Sequence, residues 1–196
     1  MGKINLTDAA LMGGLADTAY DEGLRIGDTY RNTDYELIHQ SYDALSSFGG
    51  QAYYSASDNR VVIAYKGTDQ TSDLLLTDLL GPGLGWGGSF TNQDVDSRLF
   101  TATVLKMVQG NDAEISLTGH SLGGYHVQIN TMDLTAAGKT VSGWGFNSPG
   151  LYGVSGETGL FIETNYPVTH IYTQFWGAVG TPIHSIGTRV GNDVFF

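Results

Sequence analysis

One stretch of this chain has residue types and spacing that name a chemistry: Gly119-His120-Ser121-Leu122-Gly123-Gly124, directly after the run Glu114-Ile115-Ser116-Leu117-Thr118. A G-x-S-x-G arrangement between a strand and a helix forces the serine onto a sharp, strained turn. The hydroxyl then stands exposed at the top of a sheet, and the flanking glycines let the backbone pack close. That is how a weak alcohol is presented to a carbonyl carbon. The bare pattern is not specific. In 196 residues with 28 Gly, random placement yields it roughly 0.3 times. Its weight comes from context. Attack on an acyl carbonyl creates an oxyanion, which preorganised N–H donors must meet. The amide of Leu122 is one donor, because the first amides of a helix lack intrahelical partners. A second must come from another strand end, and Thr68, after Gly67, offers both a backbone N–H and a hydroxyl.

The elements that must position these groups follow from periodicity. Leu6, Ala9, Ala10, Gly13, Ala16 and Tyr20 recur at helical spacing over residues 5–20, with Asn5 or Thr7 as N-cap. Tyr53 to Ser55 and Val61 to Lys66 are β-rich runs joined by the polar segment 56–60, which predicts a hairpin. Residues 94–109 have helical spacing and end at Gly110. Glu114 to Thr118 predicts a buried strand, Ser121 to Ala137 a helix stopping at Gly138, Val141 to Asn147 the next strand and Val168 to Gln174 a further one. Strands alternating with helices argue for a largely parallel α/β sheet. In such a sheet ligands collect at the C-terminal strand ends. Those ends are Gly67-Thr68-Asp69, Gly119-His120-Ser121, Asn147-Ser148-Pro149 and the loop after Gln174. No linker divides the chain, so residues 1–196 read as one domain.

Composition narrows the partners. The net charge is −11, which argues against nucleic acid and against an anionic membrane surface. No apolar run reaches the roughly 20 residues that span a bilayer. Residues 1–20 carry Asp8 and Asp17 and no apolar core of signal-peptide length, so no N-terminal secretory signal is visible and the compartment stays open. There is no cysteine, which removes disulfides and thiol chemistry. The His and carboxylate residues show no metal-ligand spacing, and no metal or cofactor is implied.

Three motifs in order carry a resemblance. Val61-Val62-Ile63-Ala64-Tyr65-Lys66-Gly67-Thr68 resembles the oxyanion strand of the class 3 lipases. Gly119 to Gly124 is similar to their nucleophile motif, and Phe146-Asn147-Ser148-Pro149-Gly150 to the strand end that follows it in the bacterial lipase/esterase type. The resemblance covers roughly residues 50–190. It implies an α/β-hydrolase-like three-layer fold with a mostly parallel central sheet, acyl-ester hydrolysis on a small-molecule or lipid ester, and Ser121 as nucleophile with Thr68 and Leu122 forming the oxyanion hole. It also implies a lid or flap after Thr68. Residues 72–92, apolar and glycine-rich, occupy that place.

The pattern breaks at the triad acid. The order in this fold is Ser, then Asp or Glu, then His, yet no Asp or Glu lies between Thr164 and Asn192. Against the bacterial pattern, Thr181 or Gly177 takes the acid's place and Arg189 the histidine's. His184, on a glycine-containing loop after the last expected strand, is the base the order favours. His170 lies inside a strand, where it faces a helix or solvent. His126 shares the helix of Ser121 and points away, His120 packs behind the turn, and His39 precedes every motif. Asp69 and Asp73 read as caps or turn residues. The acid stays open: Glu157, Glu163 or Asp193 reaches in, or Ser121 and His184 work as a dyad. The remaining alternative is that the chain is a degenerate relative, a binding or structural module that kept the serine turn and lost the relay.

Overall fold

A computed structural model of the chain describes residues 5–67, 89–148, 166–172 and 192–195. Helix α1 (Leu6–Thr18) is capped by Asn5 rather than Thr7: the Asn5 side chain accepts from the amides of Thr7 and Asp8, satisfying two donors that the helix itself cannot. Next come strands β1 (Glu36–Tyr42), β2 (Gly49–Ser55) and β3 (Arg60–Tyr65). Then helix α2 (Ser89–Met107), strand β4 (Glu114–His120), helix α3 (Leu122–Ala136) and strand β5 (Val141–Phe146) alternate. Strands β6 (Val168–Tyr172) and β7 (Asn192–Phe195) complete the order.

The strands form one seven-stranded sheet in the order β1-β2-β3-β4-β5-β6-β7. β1, β2 and β3 pair antiparallel, and every pair from β3 to β7 is parallel. The expected hairpin is the β2–β3 pair, with Ser55 opposite Arg60.

Strand alternation sorts the core into two layers. Val61, Ile63 and Tyr65 face one cluster with Ile115, Leu117, Phe100 and Val104, and Leu122, Tyr125 and Ile129 of α3 close it. Val62, between them, faces the other side with Leu37, Tyr53, Trp144 and Phe146, under Met12, Leu15 and Ala16 of α1. Both faces of β3 are covered, so it reads as a continuous apolar run. Each such side chain taken fully out of water contributes roughly 1.5–3 kcal/mol. Arg60 ties the layers at one end, bonding Asp8 at 2.6 Å and Glu114 at 3.0 Å. The Asp8 bond, against the cost of burial, raises its guanidinium above the ordinary arginine value.

Two expected bounds shift, and two strands go unread in the sequence. α2 begins at Ser89 rather than at 94, so residues 89–92 of the expected lid belong to a helix; residues 72–88 lie outside the described residues. β2 begins at Gly49 rather than at Tyr53, because pairing to β3 on one side and β1 on the other recruits a Gly-Gly-Gln segment of poor strand propensity. β1, an edge strand containing His39, Gln40 and Ser41, carries too weak an alternation to be read. β7 likewise has no period long enough to reveal it, and among the described strands it pairs with β6.

Candidate active site

The parallel register sets Tyr65 beside Gly119 and His120 beside Phe146, so the ends of β3, β4 and β5 meet at one edge. There β4 turns into α3 through Ser121, with φ 51 and ψ −121. A non-glycine residue in such a conformation costs of order 1–3 kcal/mol and persists only where the surroundings over-determine it. The surroundings are specific. The Ser121 amide donates to Phe146 O at 3.0 Å, and the Ser121 carbonyl accepts from Gly124 at 3.0 Å. α3 also lies against the strand ends too closely for side chains. A Cβ on Gly119 would sit 2.6 Å from the Gly123 carbonyl oxygen, and one on Gly123 would sit 3.0 Å from the Tyr65 carbonyl carbon.

Ser121 holds the N-cap position of α3, yet its hydroxyl makes no capping bond. Serine at an N-cap ordinarily spends its oxygen on those amides. Here the oxygen points elsewhere, and the α3 amides starting at Leu122 face the same edge with the positive end of the helix behind them. Leu122 itself is buried. Its side chain joins the core while its amide stands at the helix start.

Gly67, the last described residue before Thr68, lies against this turn. A Cβ there would be 2.6 Å from His120 O, 3.3 Å from Ser121 Cβ and in collision with the Tyr20 hydroxyl. Its amide donates to Tyr20 Oη at 3.0 Å. Thr68 and His184 lie outside the described residues, as do Asp69, Asp73, Glu157, Glu163, Gly177, Thr181 and Arg189. Among the described residues no histidine or carboxylate bonds the Ser121 hydroxyl.

The other histidines have clear places. His120 packs behind the turn as expected, with Nε2 3.1 Å from Asp17 and its ring 5.1 Å from Phe146. Burial lowers its basicity, and the charge of Asp17 opposes that. His126 is fully buried, with its ring edge-on to Tyr125 and Phe48. Burial, with Arg98 adding to it, pushes its imidazole down to about 3. His170 faces the helix layer and is also sealed, with Nδ1 2.9 Å from Ser148 Oγ. That pair props the β5 end: a Cβ on Gly145 would lie 2.7 Å from His170 Nδ1 and 2.8 Å from Ser148 Oγ. His39 stacks on Phe100 at 5.3 Å on the edge strand, with β2 and β3 between it and β4. Asp193 stands in β7, in register with His170.

Sequence reading missed Tyr20 and Asp17 as neighbours of the turn. Tyr20 closed a helical pattern and carried no motif; its contact with Gly67 spans the chain from α1 to the end of β3.

No protein-family model and no curated protein sequence matches the chain. Solved structures do. The Lip2 lipase of Yarrowia lipolytica superposes with a TM-score of 0.69 at 16% identity, over 98% of this chain and 80% of that one. A triacylglycerol lipase from Penicillium expansum gives 0.63 at 15% identity, over 99% and 81%. A lipase from Rhizopus microsporus var. chinensis gives 0.64 at 18% identity, over 86% of this chain. The match spans 66% of the Rhizopus enzyme, slightly under two thirds of its length. These neighbours are fungal, and the bacterial type that the motif after Phe146 suggests finds no support among them. The sheet order, the two helix layers and the strained serine between β4 and α3 thus make this chain an α/β-hydrolase fold similar to that of the fungal triacylglycerol lipases.

Proposed function

We propose that the chain is a serine carboxylic ester hydrolase, of lipase or esterase type, acting through an acyl-enzyme on Ser121. The observation that carries this reading is the Ser121 backbone: a strained serine between strand and helix whose hydroxyl is kept out of the helix cap it occupies. Backbone strain clusters at functional sites, and presenting the hydroxyl to a carbonyl carbon gives it a use here. The lipase fold of the neighbours supports the same chemistry, with lipid esters as the substrate class. We read residues 1–196 as one α/β-hydrolase domain, with 72–88 in the position of a lid.

In this reaction the Ser121 oxygen bonds to the acyl carbon and its proton passes to a base, for which His184 is our assignment from chain order. The carbonyl oxygen becomes an oxyanion held by the amides of Leu122 and Thr68. Gly67 lies beside Ser121, which supports Thr68 in this role. One such donor is worth about 10²–10³ in rate. The leaving alkoxide takes the proton from the base, and water then repeats the sequence on the acyl-enzyme. The triad acid is unassigned. Its function is to hold the imidazole tautomer and stabilise its cation.

A fluorophosphonate probe and p-nitrophenyl esters test this. The folded protein is expected to be labelled on Ser121 and to hydrolyse the esters, with both signals abolished in Ser121→Ala. A well-folded protein that takes no label sinks the enzyme reading and leaves a binding module on a hydrolase fold. If His184→Ala keeps full activity, the base lies elsewhere.

A further inference from the structure

Tyr20 stands just past the end of α1, on a turn that the sheet grips from both sides. The carbonyl before it, on Ala19, accepts from the Tyr42 hydroxyl at 3.2 Å. The carbonyl after it, on Asp21, accepts from Gln51 Nε2 at 3.0 Å. Gln51 is fully buried, and its amide also donates to Tyr42 Oη at 2.8 Å and accepts from Tyr53 at 2.7 Å. Burying an amide is costly unless its bonds are made, and made bonds in a dry site hold their geometry tightly. The network therefore fixes the Tyr20 backbone, and an aromatic side chain with two rotatable bonds carries that rigidity to its hydroxyl.

The hydroxyl accepts the Gly67 amide. It crowds the same point, the place of an absent Gly67 Cβ, as the His120 carbonyl and Ser121 Cβ. Tyr20 thus holds the end of β3 against the nucleophile turn. We propose that Tyr20 is a positioning residue of the active site: by accepting the Gly67 N–H it sets the distance between the β3 end and Ser121, and with it the geometry of the oxyanion hole. This rests on the ester-hydrolase reading for its kinetic consequence, and on the bond alone for its structural one. A misplacement of about 1 Å at a reacting centre costs up to 10²-fold in rate.

Tyr20→Phe removes the acceptor and keeps the ring. We expect kcat on p-nitrophenyl butyrate and the rate of fluorophosphonate labelling to fall roughly ten- to a hundredfold. KM should stay within about twofold, the final labelled fraction should remain unchanged, and so should the shape of the pH profile. Glu22→Gln is the control. Glu22 fastens the same turn to the same strand end through Lys66 at 2.7 Å, with its side chain largely in solvent, and does not touch the nucleophile turn. It should leave kcat unaltered. Wild-type kcat in Tyr20→Phe, or an equal loss in Glu22→Gln, overturns the proposal. Hydrogen exchange at the Gly67 amide reads the bond without turnover, and protection should drop in Tyr20→Phe. Unchanged exchange overturns the positioning role whatever the activity. Lowered exchange protection in a protein whose wild type takes no label keeps the bond and rejects the ester-hydrolase reading, and with it the proposed kinetic role.

Discussion

Two polar clusters flank Ser121 from opposite faces of the sheet, and they are built in opposite ways. On the α1 face, Tyr20, Asp17 and Glu22 reach Gly67, His120 and Lys66 with their outer atoms near water. On the α2/α3 face, Asp94, Tyr125, His126 and Asn130 are buried. Tyr125 donates to Asp94 Oδ2 at 3.2 Å, His126 Nε2 lies 3.3 Å from Gln93, and its Nδ1 is 3.7 Å from Asp94 Oδ1, too far for a hydrogen bond. Burial keeps His126 neutral and raises the Asp94 carboxyl, which the Tyr125 hydroxyl partly offsets. The first cluster sets geometry at modest energetic stake. The second carries a large desolvation cost, and its described bonds do not reach Ser121. In the first, loss of the Tyr20 bond to Gly67 should therefore alter rate with little change in stability, while the exposed Asp17 and Glu22 matter little to either; changes in the second should alter stability, in a pH-dependent way, with little change in rate.

The largest effect should come from the support both clusters share. Gly119→Val drives a side chain into the Gly123 backbone, which cannot swing aside. A loss of more than about 3 kcal/mol in urea unfolding is expected, and a near-wild-type midpoint would contradict the packing of α3 on β4.

Next is the sealed cluster. His126 has a folded value of about 3 against an ordinary 6.5, so the unfolded chain binds the extra proton. Its contribution is complete above about 6.5 and is lost as pH falls toward 3, by about 1.4 kcal/mol per unit. Asp94 has the opposite sign: its carboxyl is raised, so its contribution is complete below 3.8 and declines as pH rises. His126→Gln removes the first and keeps the second. Between pH 7 and pH 4.5 the wild type should lose about 2–3 kcal/mol more than the variant. Parallel pH profiles would mean that the imidazole titrates freely.

The smallest effect belongs to the open cluster. Asp17 is 72% exposed, so water screens its contact with His120. Asp17→Asn should cost under about 1 kcal/mol and leave ester turnover within roughly threefold of wild type. A larger loss in the melt would erase the distinction between the two clusters.

Legibility followed the range of the interactions. The elbow could be read because its requirements are local: glycines at fixed offsets, a strand before and a helix after. Helix α1, whose cap narrows to Asn5 or Thr7, the β2–β3 turn and strands β4 and β5 were readable for the same reason. β1 was not, since a polar edge strand is held by its pairing to β2 rather than by its own period. Chain order ranks the five histidines but does not say what surrounds each one. Packing shows that His126 on α3 and His170 on β6 are fully buried, while His120 meets Asp17 and His39 lies on the edge strand.

The sequence by itself determined where the candidate nucleophile is, because a serine between those glycines marks the sharp turn that joins this strand to this helix. Only the tertiary structure decided what surrounds it. Tyr20 meets Gly67, and Ser148 meets His170, through contacts between distant segments. Such contacts depend on which side chains the sheet order brings to one edge, and no local spacing encodes that.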